Sequence, residues 1–203
     1  MTTNTNIERA IMHVAEMLKT RGDDVSGFLE EAKEHPPASY YSRIIGLSSS
    51  HTKVFFALNK ELAKDHIKEW KDSTGQDIID TYDRKSFMIV LTEKPSSTSL
   101  TTLELKDKAL ASLGGIMQMY LLKELQYNPS KHSLVPLHEK MTEEDVVTLL
   151  TSYLLKNKFQ LPAILKSDVM ARYLGLKHGD VVRIIHYNEC SGQYYYYRVC
   201  AAR

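Results

Sequence analysis

SDVMARYLGLKHGDVVRIIHYNECSGQYYYYRVC, residues 167–200, switches from a helical to a strand period partway along. Ser167 or Asp168 is a good cap for a short helix carrying Ala171, Tyr173 and Leu174, and Gly175 suits the position just past its end. Gly179 and Asp180 then turn the chain into DVVRIIHY, and NECSG turns it again into the aromatic run QYYYYRVC, which predicts a hairpin with helices packed on it. Upstream, MTEEDVVTLLTSYLL predicts a helix with Thr142 as N-cap, Asp145 three residues on, and Val146, Leu149, Leu150 and Tyr153 along one face. Asn128, Pro129 and Ser130 break the pattern before that, so the expected domains are 1–130 and 131–203.

The first of these reads as α/β, with strands alternating with helices. Ile7, Ala10, Ile11, Val14 and Leu18 predict an amphipathic helix, with Thr5 and Glu8 as a capping box and Gly22 as its stop. A second helix is expected from Ser26 to Glu34, ended by Pro36 and Pro37. YYSRIIG (40–46) and TKVFFAL (52–58) read as paired strands, Lys60 to Trp70 as a helix, SFMIVLT (86–92) as a buried strand and KPSSTSLTT (94–102) as a polar loop. Periodicity leaves 103–128 open between helix and strand.

Composition excludes several classes. With 43% hydrophobic and 25% charged residues over 203 positions, neither disorder nor a fibrous repeat is indicated. The formal net charge is +1, with 17 basic and 18 acidic residues through Lys131 and 9 and 7 after it, so neither half is a basic module that would hold nucleic acid by electrostatics alone. Cys190 and Cys200 are the two cysteines, expected as reduced intracellular thiols in a chain without a secretory leader. No run reaches the roughly 18 uninterrupted apolar residues of a membrane span, so no membrane role is expected.

Catalytic patterns are weak. Asp77 or Asp80 ahead of Asp83, Arg84 and Lys85 has the residue types of a metal-dependent nuclease, but D-x-K arises by chance in a charged loop and here precedes the strand. His132 and His138 lie far from Cys190 and Cys200, whereas zinc ligands come in closer pairs, so no metal is expected. Ser167, His178 and Asp180 lack a nucleophile elbow, and no phosphate-cradling glycine motif occurs. We therefore assign no catalytic residue and no cofactor. Tyr194 to Tyr197 have the chemistry of a single-strand stacking platform, but strand alternation allows at most two on one surface; the reading preferred is one pair in the core and one offered to a protein partner.

Four patterns in fixed order resemble a known family: HSLVPLHEKMT (132–142), LPAIL (161–165), SDVMARYLGLKHGDVVRII (167–185) and SGQYYYYR (191–198). They are similar to the C-terminal domain of the fifth subunit of eukaryotic-type DNA-directed RNA polymerases, a domain that in archaeal polymerases makes up a small subunit by itself. The likeness is carried by His132, Leu134, Val135, Pro136, His138, Met141 and Thr142, then Leu161 and Pro162, then Asp168, Ala171, Arg172, Tyr173, Gly175, Gly179, Val181, Val182 and Ile184, and finally Gly192, Tyr197 and Arg198. Val169 stands where the family has proline, and His186-Tyr187-Asn188-Glu189-Cys190 where it has Arg-Pro-Ser-Glu-Thr, which points to a divergent or viral member. More faintly, IERAIMHVAEMLKTRGDDV and FMIVLTEKPSS resemble the eukaryotic jaw domain, with Lys94, Pro95, Ser96 and Ser97 at the positions of a loop lying near downstream DNA. The resemblance also favours strands within 116–128.

What it implies is an α+β protein: an N-terminal α/β jaw (1–130) and a small C-terminal assembly domain (131–203) with helices on a short sheet. The implied function is that of a non-catalytic polymerase subunit in transcription. Its partners would be the largest subunit, met through Arg172, Tyr173, Arg183, Arg198 and the hairpin tyrosines, the other subunits, and double-stranded DNA, touched weakly. His132, Pro136, His138, Asp168, Gly175, Gly179 and Gly192 would be structural. The implied location is the nucleus, or a virion or host cytoplasm for a virus-encoded polymerase. The rival readings are a free-standing DNA-binding transcription factor and the nuclease.

Overall fold

The structure is a computed structural model that describes residues 2–190 and 192–201. The chain divides into two compact units, Met1–Tyr127 and Asn128–Arg203. Both are mixed: each has a four-stranded sheet with helices packed on it.

In the first unit the strands are β1 (Ile45–Ser48), β2 (Thr52–Ala57), β3 (Ser86–Leu91) and β4 (Ile116–Leu121), lying in chain order. β1 and β2 form an antiparallel hairpin, while β2, β3 and β4 run parallel, Phe56 opposite Val90 and Val90 opposite Tyr120. Parallel neighbours need crossover connections, and helices supply them: α4 (Lys60–Asp72) and α5 (Gly75–Tyr82) between β2 and β3, and α6 (Ser97–Ser112) between β3 and β4. Phe55, Phe87, Ile89 and Met117 on one face of the sheet bury against Ile67 and Trp70 of α4, Ile78 of α5 and Leu103 and Leu110 of α6. On the other face Phe56 meets Tyr40 edge to face at 5.4 Å, and Gln118 accepts from Arg21 at 2.7 Å. The elements on that side are α1 (Thr2–Thr20), α2 (Ser26–Glu34) and α3 (Ser39–Ser42). Coverage of both faces explains why SFMIVLT reads as a continuous apolar run instead of alternating.

Several expectations need correction. α1 starts before Thr5, so Thr5 and Glu8 are inside the helix rather than at its cap. Tyr40 and Tyr41 belong to the helical turn α3, begun after Pro36 and Pro37, and the strand starts only at Ile45. The loop after β3 is shorter than read, because Ser96 caps α6 by accepting from the Ser99 amide and helix begins at Ser97. α5 had no counterpart in the sequence reading, although Thr74 and Asp77 form its capping box. The open stretch 103–128 resolves into the rest of α6, β4 and a 3-10 turn at Glu124–Gln126.

The second unit has β5 (Leu137–Lys140), β6 (Ala163–Leu165), β7 (Val181–Asn188) and β8 (Gly192–Ala201) in the order β5-β7-β8-β6. β7 and β8 form the expected antiparallel hairpin, with Ile184 opposite Tyr196; Ser191 in its turn lies outside the described residues. α7 (Glu143–Ser152) begins at its Thr142 cap, and Val146 and Leu149 bury against Val181 and Val199. α8 (Val169–Tyr173) begins at Asp168 and buries Met170, Ala171 and Tyr173.

Candidate functional site

Two regions hold the residues singled out by the sequence. The first is the loop from β3 to α6. Lys94, Ser96 and Ser97 are exposed there and Pro95 is half-buried. The loop lies at the C-terminal end of parallel strands, the same end at which α4 and α6 begin, and helix N-termini carry partial positive charge. The Ser96 hydroxyl lies 3.0 Å from that of Ser99 as well as capping the helix. Pro95 shares a shallow recess with Lys60, Lys64, Ile67, Thr92 and Glu93, and Lys60 pairs with Glu93 at 3.0 Å. The sequence reading missed Lys60 and Lys64; their i, i+4 spacing just after a strand was the available signal.

The second region is the sheet of the C-terminal unit. Arg183 donates from Nε and Nη2 to the Glu139 carboxylate at 3.1 and 2.6 Å, across the antiparallel β5–β7 pair, and its guanidinium lies 5.8 Å from the Tyr195 ring centroid. The hydrogen bond to Glu139 raises the Arg183 pKa further. Arg198 is exposed and donates to the Ala163 carbonyl at 2.9 Å, tying β8 to β6. Arg172 is half-buried. Tyr173 corrects the sequence reading: it is only 5% exposed and its hydroxyl accepts from Asn128 at 3.2 Å, so it anchors α8 and presents no face to a partner.

The tyrosine run divides differently from the expectation of one core pair and one presented pair. Register puts Tyr195 and Tyr197 on the face of Arg183, and Tyr194 and Tyr196 on that of His186. Each face has one packed and one exposed ring. Tyr197 packs on Tyr153 at 6.0 Å while Tyr195 is exposed; Tyr194 stacks on His186 at 5.3 Å with 8° between planes while Tyr196 is 56% exposed. The physical reason is length: β5 and β6 pair only with part of β7 and β8, leaving the end of the ribbon without further strand neighbours among the described residues.

The residues expected to be structural do local work. Asp168 accepts from the Met170 and Ala171 amides. The His138 ring sits 2.7 Å from the Pro136 carbonyl, and His132 accepts from the Leu134 amide. Gly175, Gly179 and Gly192 have φ of 63°, 85° and 69°, in the region that side chains disfavour. At Gly179 space also decides, since a Cβ would meet the Lys158 ammonium at 3.3 Å while the glycine amide donates to the Cys200 carbonyl.

The chemical alternatives are dispersed. Asp77 caps α5, Asp80 accepts from Gln76, and Asp83 is the exposed C-cap of the same helix, so Asp77 and Asp80 are engaged within α5. Asp180 bonds the Lys177 amide and pairs with Lys140 at 2.6 Å, while His178 stacks on Phe159. Among the described residues no three of His, Cys, Asp and Glu are grouped as metal ligands would be, and no helix is long and apolar enough to cross a membrane. Cys200 is buried, which pushes its thiol pKa up, and Cys190 is exposed.

Comparison with known proteins adds to this geometry. Residues 127–200 match the family model described as RNA polymerase Rpb5, C-terminal domain. The subunit RPABC1 of DNA-directed RNA polymerases I, II, and III from Caenorhabditis elegans is 43% identical over 96 residues, 45% of each chain, and that from Caenorhabditis briggsae gives the same figures. The corresponding subunit from Dictyostelium discoideum is 46% identical over 77 residues, 38% of this chain and 39% of its own. The chain thus spans less than half the length of these curated relatives. Through its C-terminal unit, the chain is similar to the fifth subunit of eukaryotic-type DNA-directed RNA polymerases.

Proposed function

We propose that the chain is a non-catalytic subunit of a multisubunit DNA-directed RNA polymerase. Its C-terminal unit docks on the largest subunit, and its N-terminal unit is a jaw that brings Lys94, Pro95, Ser96 and Ser97 near downstream double-stranded DNA. The observation that carries this reading is the match of residues 127–200, which supplies the partner class. On one face of the β7–β8 ribbon the exposed Arg198 and Tyr196, and on the other the exposed Tyr195, supply surfaces of suitable chemistry, as Tyr and Arg are enriched where proteins meet. Arg183, already paired to Glu139, lies against Tyr195 on that second face, and the half-buried Arg172 adds a further cation. The jaw corresponds to the unit Met1–Tyr127 and the assembly domain to Asn128–Arg203, and the site of action is the nucleus.

The near-balanced charge of both halves supports a subunit over a free-standing DNA-binding factor. At the loop, Lys94, serine hydroxyls and the free amides of a helix start can position a phosphate without reading sequence. The test is assembly of the tagged chain in its native cells. Arg198→Ala is expected to lower recovery of the largest subunit while the fold is retained, and unaltered recovery removes Arg198 from the interface.

A further inference from the structure

Leu154 closes α7 in a left-handed conformation, at φ 53°, and its side chain is 89% exposed. The backbone there makes a helix-ending pattern: the Tyr153 amide donates to Leu149, Leu154 to Thr151 and Leu155 to Leu150. Glycine makes this turn without the steric conflict that any Cβ brings, and is the usual residue in it. A leucine here therefore strains the backbone and hydrates a large apolar side chain, with no burial in its own unit to offset either.

Further apolar side chains lie exposed in the same part of the chain. Tyr153 is 61% exposed, Val147 lies uncovered on α7, and Phe159 is half exposed on the loop that follows. Residues 146–167 include three lysines and no acidic residue, and Lys156, two residues after Leu154, is exposed. An apolar knob beside the exposed Lys156 ammonium is complementary to an apolar pocket with a carboxylate on its rim.

We infer that Leu154 is a docking knob, inserted with Tyr153 into an acid-rimmed apolar pocket on the polymerase subunit that receives the C-terminal unit. This rests on the subunit reading above and adds a contact separate from the arginines and the hairpin. Its signature is an opposed pair of effects. Removing the knob relieves the free chain and weakens the assembly, whereas a residue important only for folding moves both in the same direction.

The experiment uses the full-length tagged chain, with Leu154→Gly and Leu154→Asn, both side chains that tolerate the left-handed region. Thermal melting of each purified chain is compared with recovery of polymerase subunits from native cells. The melting temperature should rise by about 2–4 °C, and recovery should fall about tenfold or more. Lys156→Glu should also lower recovery, with melting unchanged. If wild type assembles and the Leu154 variants assemble equally well, or melt lower, the knob is overturned and the subunit reading stands. Normal recovery of Lys156→Glu overturns the acidic rim. If wild type assembles with no polymerase, the subunit reading falls and this inference with it.

Discussion

Tyr40 carries a phenol into the core of the first unit. Its ring is 1% exposed against Phe56, its hydroxyl is buried without a hydrogen-bond partner among the described residues, and burial pushes its pKa up to about 12. An unpaired buried hydroxyl costs free energy that a methine does not, so Tyr40→Phe should be neutral or stabilise by up to about 1 kcal/mol in urea melts. The sign of the pH effect follows. The unfolded phenol ionises near 10 while the folded one stays protonated, so above that pH the unfolded state binds fewer protons and stability falls between about 10 and 12. Tyr40→Phe should flatten that fall, and an unchanged alkaline slope would contradict the burial. His66 gives the acid counterpart. Its ring lies 4.6 Å from Trp70 and 5.1 Å from Phe55, its Nε2 is buried with no partner among the described residues, and burial lowers its pKa against the opposing influence of Glu69. The unfolded imidazole takes its proton first as pH falls below about 6.5, so stability contributed by neutral His66 is lost in that direction. Trp70 is the only tryptophan, so its fluorescence reports the change directly, and His66→Leu should remove this component.

At the scale of elements, the start of β4 separates two kinds of glycine. Gly114 has φ 77° and a Cβ there would point into open space, whereas a Cβ on Gly115 would collide with the Lys85 carbonyl oxygen. Gly114→Ala should cost about 1–2 kcal/mol for conformation alone. Gly115→Ala must push β4 away from the end of β3, where the Ile116 amide donates to that same Lys85 carbonyl, and should cost about 2–3 kcal/mol. Denaturant melts giving the reverse order would show that the strand start tolerates displacement. Sheet edges in the first unit are guarded by carboxylates: Glu31 accepts from the Ser48 amide, Asp107 from Met117 and Glu124 from Leu121. Asp107→Ala should raise light scattering on warming, by opening an edge amide to strand addition, and Asp107→Asn should do so less.

Elements with strong periodicity or local caps were legible in the sequence: α2, α4, α7, α8, β2, β3 and the β7–β8 hairpin. β5 and β6 were not, since strands of four and three residues with largely exposed side chains show no alternation. The first turn of α6 was hidden by its polar, β-branched composition. The hydroxyls of Thr101 and Thr102 bond back to Ser97 and Thr98 within the helix, a compensation composition does not reveal. In the candidate site, Asp168 and the turn glycines were readable because capping is local chemistry. The Arg183–Glu139 pair joins residues 44 apart, and the burial of Tyr173 depends on which side of a five-residue helix meets the turn at Pro129–Lys131; neither is encoded in spacing.

For the molecule as a whole, the distribution of charge sets what it does alone. With net charge +1 and no basic half, the isolated chain should bind duplex DNA on the order of 10 µM or more weakly at physiological salt. A gel shift at nanomolar concentration would instead favour a free-standing DNA-binding factor. The central claim is that the C-terminal unit places this chain in an RNA-synthesising machine. Mass spectrometry of what co-purifies with the tagged, full-length chain from its native cells tests it most directly. The account predicts the largest polymerase subunit, recovered in stoichiometric amount with its companions; a chain recovered free of any polymerase subunit would contradict it.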